Sequence, residues 1–157
     1  MNIINDLLLH SCNQGVLLID YDCFFSELSD YCFFAIDDKE ELWELKSVVD
    51  TIKSMDNEAL VFCCTYGVEI QDDSIYSDNL WINSSLSIDA IKAVFYKYDT
   101  VNNPLRGIIP TDIKKLLETS CDYSSIKYIV YSCDNYDLFE TAGDVIDFSK
   151  TISLYWD

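Results

Sequence analysis

The sequence predicts a mixed α/β (α+β) fold, a single-domain sheet with helices packed on its faces. The first observation is the apolar run Ala59–Tyr66, which lies between Glu58 and Gly67 and is typical of a strand buried on both faces. The second is the strong helical periodicity of the stretch that follows Asp38. The third is that strand-like and helix-like stretches interleave along the chain, which favours helices packed on a sheet.

Length and composition favour a single domain over residues 1–157. A chain of this length buries about 68–70% of its extended surface on folding. Half of the residues are hydrophobic and 14% are aromatic, so a packed core is possible without covalent staples. Four Gly and two Pro leave little room for a flexible linker, and no internal repeat is present.

The amino-terminal third contains one predicted helix, one strand and one ambiguous stretch. The helix is indicated by apolar residues at helical spacing: Ile3, Ile4, Leu7 and Leu8. Residues 15–20 read as a second buried strand, which ends in Asp20. Residues 22–36 are open to two interpretations: Phe24, Phe25, Leu28, Tyr31 and Cys32 fit one helical face, whereas residues 31–36 also fit a strand.

The clearest helical periodicity begins after Asp38. Asp38 and Glu41 resemble a capping box, in which the Asp oxygen accepts a hydrogen bond from a first-turn N–H. The predicted inner face consists of Leu42, Leu45, Val49, Ile52 and Met55. The predicted outer face consists of Glu40, Glu41, Glu44, Lys46, Asp50 and Lys53. Trp43 is either a flank of the core or an interface anchor, because Trp is enriched at interface hot spots.

Loops, short strands and two further helices account for the rest of the chain. Residues 68–78 read as a polar, acidic loop with a turn at Asp72-Asp73. Residues 79–83 read as a short strand, for which an edge position in the sheet is one option. Ser87 is the predicted cap of a helix with an apolar stripe of Ile88, Ile91, Val94, Phe95 and Tyr98. Pro110-Thr111 begins a helix with Ile113, Leu116 and Leu117 inside, and residues 125–131 and 152–156 are predicted strands.

The charge of the chain is strongly acidic and unevenly placed. The net charge is −18, and residues 1–80 carry 17 Asp and Glu against 3 Lys, whereas residues 81–157 carry 11 acids and 7 bases. Such a field repels nucleic acid and anionic membranes and attracts basic partners. The alternative is that the charge only keeps the protein soluble.

Cysteine and histidine usage argues against a metal centre and against a disulfide framework. The seven cysteines are an odd number without a CxxC pair, and His10 is the only histidine. Cys63-Cys64 lie inside the apolar run, where thiols act as small buried hydrophobes. We therefore expect no metal, no cofactor and a reducing cytoplasm. No basic leader precedes Ile3, and no apolar run is long enough to cross a bilayer, so we expect no membrane association.

One motif resembles a catalytic site. Residues 17–22 read Leu-Leu-Ile-Asp-Tyr-Asp, and Asp-x-Asp at the end of a strand resembles the first motif of haloacid-dehalogenase-type phosphatases. The resemblance implies that Asp20 attacks phosphorus, that Asp22 handles the leaving-group proton, and that Mg²⁺ is bound nearby. The remaining motifs of that family would fall on Thr65, on Lys114 or Lys115, and on either Asp134 with Asp137 or Asp144 with Asp147.

The same motif also has a purely structural interpretation. In that interpretation Asp20 and Asp22 bond nearby backbone amides in a turn at the end of the strand. Phe24 stands where the phosphatase family has Thr or Val, and the chain has little glycine to hold phosphate on backbone amides. We therefore expect no catalytic residue, with a Mg²⁺-dependent phosphohydrolase as the alternative.

A second resemblance concerns binding. Residues 78–84 (Asp-Asn-Leu-Trp-Ile-Asn-Ser), 86–88 and 109–113 resemble immunity proteins of bacterial contact-dependent growth inhibition systems. The resemblance implies a non-enzymatic inhibitor that forms a heterodimer with a cognate toxin domain, very often a nuclease with a basic active-site cleft. Carboxylates of the inhibitor would occupy the positions at which the nuclease binds phosphates, and Tyr or Trp would add rigid apolar contacts. An acidic mimic of DNA is a third interpretation, although the acids form clusters rather than rows.

The candidate contacts with the toxin follow from charge and aromatic content. They are a loop with Glu69, Asp72, Asp73 and Asp78, a helix edge with Glu40, Glu41, Trp43 and Glu44, and a second aromatic anchor at Trp81. For each residue the alternative is an ordinary solvated position.

Overall fold

The computed structural model describes residues 16–27, 29–66, 70–71, 74–97, 126–132, 135–138 and 146–156. Two predicted helices, over residues 3–8 and after Pro110, lie outside the described residues, and so do the loop acids Glu69, Asp72 and Asp73. That all 157 residues form one domain stays a prediction.

The described residues form nine strands and two α-helices, which confirms the mixed α+β class. The strands are β1 (Val16–Asp20), β2 (Cys32–Phe34), β3 (Leu60–Tyr66), β4 (Ile70–Gln71), β5 (Ser74–Ser77), β6 (Asn79–Asn83), β7 (Ile126–Ser132), β8 (Asn135–Leu138) and β9 (Thr151–Tyr155). The helices are α1 (Lys39–Met55) and α2 (Ile88–Phe95). A π-helical turn spans Cys23–Glu27, and a 3₁₀ turn spans Phe148–Lys150.

The main sheet has six strands in the order β8-β7-β1-β3-β6-β9. Only β1 and β7 pair in parallel, and the other neighbours are antiparallel. The run that begins at Ala59 forms β3 near the middle of this sheet, and its residues 61–65 are all buried. This confirms the prediction of a strand covered on both faces. β1 and β7 also confirm predicted strands, whereas β8 was not predicted.

β6 does not take the edge position that was one option for residues 79–83. β6 lies between β3 and β9, with Trp81 opposite Phe62 on one side and Ser153 on the other. Four of its five residues are buried, because both of its backbone edges are paired and both of its faces are covered. β9 confirms the strand predicted at residues 152–156, and its residues 151–154 are all buried.

A second, three-stranded sheet in the order β2-β5-β4 was not predicted. β4 and β5 occupy the stretch predicted as a polar loop, and Ile75 within it is fully buried. Ser77 ties this sheet to the central strand by donating its hydroxyl to the Cys64 carbonyl over 2.6 Å, and the Thr65 hydroxyl donates to the Tyr76 carbonyl. The ambiguous stretch 22–36 begins with the π-helical turn and continues into β2, so the strand alternative for residues 31–36 is confirmed in part, and no helical face reaches Cys32.

The α1 helix begins as predicted. Asp38 Oδ1 accepts from the Glu40 and Glu41 backbone N–H groups at 2.8 and 3.1 Å, which satisfies two donors that the first turn leaves open. The buried face consists of Leu45, Val48, Val49 and Ile52. Met55, predicted to lie inside, is exposed because it is the last residue of the helix.

The carboxylate of Asp56 connects the end of α1 to the loop before α2. It accepts from the Ser84 hydroxyl at 2.7 Å and from the Ser85 backbone N–H at 3.0 Å. Ser87 then caps α2 as predicted, since its hydroxyl accepts from the Ala90 N–H at 3.1 Å. Within the described ranges, no helix is long and apolar enough to cross a membrane.

Candidate partner-binding surface

Trp43 stands on the solvent side of the first turns of α1. Its side chain is 68% exposed, which leaves the core-flank interpretation without support. Because neighbours on a helix surface are three or four residues apart, Trp43 lies next to Glu40 on one side and next to Lys39 and Lys46 on the other. An exposed indole among charged side chains suits an interface anchor, since it loses little conformational entropy on binding.

The three acids predicted around Trp43 differ in exposure. Glu40 is exposed, whereas Glu41 and Glu44 are half-buried. The Glu44 Oε2 atom is buried and has no hydrogen-bond partner among the described residues. Glu40 and Glu41 lie in the first helical turn, where the helix dipole stabilises negative charge. The predicted helix edge is therefore acidic on the Glu40 side of Trp43 only.

All three bases of residues 1–80 lie on α1. Lys46 forms an ion pair of 2.7 Å with Asp50, and this hydrogen bond raises the pKa of Lys46. Lys53 approaches Asp22 at 3.4 Å. Lys39 has no ion-pair partner within the described part of the chain. Two of the three bases are thus already neutralised by neighbouring acids.

A cleft of about 280 Å³ opens beside Trp43, and we call it the Trp43 cleft. It lies between α1 and the π-helical turn, and its apolar lining includes Tyr21, Phe25 and Leu42. Asp22, Ser26 and the two lysines Lys39 and Lys46 supply its polar groups. The cleft is therefore apolar inside and charged at its mouth.

A second cleft of about 330 Å³, which we call the Phe33 cleft, adjoins the first. Phe25 and Leu42 line both clefts. The centroid of the Phe25 ring lies 5.1 Å from that of Phe24 and 5.6 Å from that of Phe34. Such tilted and edge-to-face contacts hold the rings in fixed positions. The surface between the two clefts is consequently a packed aromatic cluster.

The exposed rim of the Phe33 cleft is aromatic as well. Phe33 is 54% exposed and lies opposite Tyr76, which is 42% exposed, in the pairing of β2 with β5. Tyr31, just before β2, is also exposed. Sequence reasoning missed these residues because the ambiguity of residues 22–36 left the direction of Phe33 undetermined. Because residues 74–77 were predicted as part of a polar loop, their pairing with β2, which places Tyr76 opposite Phe33, was not expected.

Asp20 adopts the structural role of a strand-end turn. Its Oδ2 atom accepts from the Asp22 backbone N–H at 3.0 Å and from the Cys23 N–H at 3.4 Å. Desolvation raises the pKa of Asp20, and the opposing field of Lys53 lowers it by less. The side chain of Asp22 points instead to Lys53. Both predicted interpretations place Asp20 at a strand end, but these hydrogen bonds are those of the turn.

Of the other residues of the phosphatase motif, Thr65 lies away from Asp20. In the antiparallel pairing of β1 with β3, Asp20 lies opposite Phe62 and Thr65 lies opposite Leu17. Thr65 is thus three residues, or roughly 10 Å, farther along the strand. Asp147 accepts hydrogen bonds from the N–H and hydroxyl of Ser149, two residues later. The remaining candidates Lys114, Lys115, Asp134 and Asp144 lie outside the described residues, and of Asp137 only its place in β8 is described.

Trp81, predicted as a second aromatic anchor, is buried. Trp81 is only 6% exposed, because it lies in the interior strand β6. Asp78 is half-buried between β5 and β6, and burial raises the pKa of its carboxyl. Its backbone carbonyl accepts from the Trp156 N–H at 2.9 Å. Of the predicted loop cluster, only Asp78 falls on described residues.

No protein-family model matches the chain, and no curated protein or solved structure matches it significantly. The function is therefore inferred from surface chemistry. Among the described residues, no group of three or more His, Cys, Asp or Glu could hold a metal ion. The described surface combines one exposed Trp, two adjoining apolar clefts and more acidic than basic side chains. This combination is suited to binding a protein partner.

Proposed function

We propose that this protein is an immunity protein that binds a cognate toxin domain and neutralises it in the cytoplasm. The proposed complex is a heterodimer, in which Trp43 and the acidic surface on its Glu40 side cover the basic active-site surface of the toxin, a nuclease. The observation that carries the proposal is a 68% exposed Trp43 beside Glu40, in the half of the chain with 17 acids and 3 bases.

Charge and aromatic surface contribute different parts of the binding. A field of one sign accelerates encounter with an oppositely charged partner, with association rate constants up to ~10⁸–10⁹ M⁻¹s⁻¹ at low salt. Charge alone binds many basic proteins weakly. Specificity needs desolvated apolar contacts near the centre of the interface, and Trp43 supplies such a contact.

The proposal includes no enzymatic activity. The Asp20 carboxylate is occupied by two backbone N–H groups of its own turn, and Asp22 is next to Lys53. Thr65 lies about three residues along the sheet from Asp20 and its hydroxyl is bonded to Tyr76. These observations support a scaffold role for the motif that resembles the phosphatase site.

We expect the cognate toxin domain to be encoded by a neighbouring gene, and the test uses that domain. Purified toxin domain is titrated with this protein by calorimetry, and toxin activity is measured across the same titration. We expect a one-to-one complex and loss of toxin activity at equal amounts of the two proteins. The absence of binding at micromolar concentration, or binding without loss of toxin activity, would contradict the proposal.

A further inference from the structure

The Trp43 and Phe33 clefts lie side by side on one surface. Phe25 and Leu42 line both clefts and form the wall between them. Trp43 is exposed at one end and Phe33 at the other. We call this surface the Trp43–Phe33 groove.

The groove is preformed rather than created by binding. Phe25 is held in place by three neighbouring rings. Its ring centroid lies 4.6 Å from that of Tyr21, 5.1 Å from that of Phe24 and 5.6 Å from that of Phe34. Phe34 in turn contacts Trp156 beyond β9 at 5.3 Å. A groove whose walls are already packed requires little ordering when a partner enters it.

The size of each cleft suits single side chains. The two volumes, about 280 and 330 Å³, lie at the bottom of the range of roughly 300–1,000 Å³ that is usual for drug-sized ligands. Two such clefts on either side of Phe25 and Leu42 match two apolar side chains of one chain segment better than one compact small molecule.

The charges around the groove select a basic occupant. Asp22 lines the Trp43 cleft and Asp37 lines the Phe33 cleft. Asp38 and Glu40 are exposed beside them. Among the described residues, Lys53 pairs with Asp22 and Lys46 pairs with Asp50, which leaves Lys39 as the uncompensated base beside the groove. An acidic ligand would therefore meet Asp37, Asp38 and Glu40 against one uncompensated lysine.

We propose that the Trp43–Phe33 groove receives a basic segment of the toxin domain, which inserts two apolar side chains into the two clefts. Lys or Arg side chains of that segment pair with Asp37 and Glu40. This inference rests on the proposed function, and it adds where the partner docks and which chemistry is recognised.

The first experiment measures binding of the toxin domain to surface variants. Trp43→Ala removes one end of the groove, and Ser29→Trp fills the Phe33 cleft, whose lining includes the exposed Ser29. Tyr96→Ala is the matched control, because Tyr96 is 65% exposed at the end of α2 and lines neither cleft. We expect each groove variant to weaken binding by about 30-fold or more, as hot-spot residues do, and Tyr96→Ala to leave it unchanged.

The second experiment does not need the toxin. Three ten-residue peptides of alternating Lys-Leu, Lys-Ser and Glu-Leu are titrated into the wild-type protein and into Ser29→Trp. We expect Lys-Leu alone to bind wild type, and Ser29→Trp to weaken it. Preference for Glu-Leu, equal binding of Lys-Ser, or self-association of the protein through the groove would overturn the proposed occupant.

The two experiments separate the two proposals. Toxin binding that is insensitive to Trp43→Ala and Ser29→Trp would overturn the groove assignment and leave the immunity function standing. Failure of toxin binding, with Lys-Leu still bound in the groove, would overturn the immunity function and show that the groove takes a basic segment from another protein. Failure of both would overturn both proposals.

Discussion

Phe33 in β2 lies directly opposite Tyr76 in β5, and both side chains are exposed to solvent. Their neighbours Phe34 and Ile75 are buried, because successive side chains of a strand point to opposite faces. The small sheet thus has one face in the core and one aromatic face outside. Exposed aromatic residues that cluster in this way mark interaction surfaces more often than isolated ones do.

Removal of the exposed aromatic side chains should leave the fold intact. Trp43→Ala and Phe33→Ser are expected to change the free energy of unfolding by no more than about 0.5 kcal/mol, as is usual for surface positions. Urea unfolding followed by circular dichroism measures this. Phe24→Ala is the contrasting variant, because this fully buried ring should cost about 3–5 kcal/mol. A comparable loss in Trp43→Ala would show that Trp43 supports the core.

Two adjacent charges should affect toxin association in opposite directions. Glu40→Gln removes an exposed acid and should slow association with a basic partner, whereas Lys39→Gln removes an opposing charge and should accelerate it. Stopped-flow measurements at low salt should show both changes, and high salt should reduce both because ions screen exposed charges. Dissociation should change much less. Association that is independent of salt would contradict electrostatic steering.

The Asp56 carboxylate should make folding stability sensitive to acid. Hydrogen bonds from Ser84, and then from the Ser85 N–H, lower the pKa of Asp56 in the folded state below its unfolded value. Its contribution is therefore fully present above the unfolded pKa and is lost as pH falls through the folded pKa. Asp56→Ala should lower the melting temperature at neutral pH and show a smaller difference from wild type in strong acid. Glu58→Ala, an exposed acid two residues away, is the control and should leave the melting temperature unchanged.

Asp20 should show the opposite pH dependence. Burial raises the folded-state pKa of Asp20 above its unfolded value, so the ionised carboxyl is disfavoured in the folded protein. The free energy of unfolding therefore falls as pH rises from the unfolded pKa to the folded pKa of Asp20. Asp20→Asn is expected to fold at neutral pH with a melting temperature no lower than that of wild type. Neither protein should hydrolyse a generic phosphate ester with Mg²⁺. Turnover by wild type that is abolished in Asp20→Asn would restore the phosphohydrolase alternative.

All seven cysteines should titrate as thiols after unfolding under alkylating conditions. None of the four described cysteines (Cys23, Cys32, Cys63 and Cys64) forms a disulfide. In the native protein Cys63 should react far more slowly than an exposed thiol, because complete burial raises its pKa and excludes the reagent. Mass spectrometry of alkylated protein counts the thiols, and a count below seven would indicate a disulfide or a bound metal.

The sequence determined those elements whose signals are local. The Asp38 cap and the periodicity of Leu45, Val49 and Ile52 define α1, because a helix forms its backbone hydrogen bonds within one segment. The Ser87 cap of α2 is predictable for the same reason. The continuous apolar run in β3 also predicts burial on both faces, because a strand with one exposed face would leave every second apolar side chain in water.

Only the tertiary structure decided how separate strands meet. The sequence contains no signal for the register that places Thr65 away from Asp20, or for the pairing that buries Trp81 in an interior strand. The Trp43–Phe33 groove likewise arises where α1, the π-helical turn and β2 come together. Strand pairing and clefts join residues far apart in the chain, and they depend on long-range packing that local residue patterns do not encode.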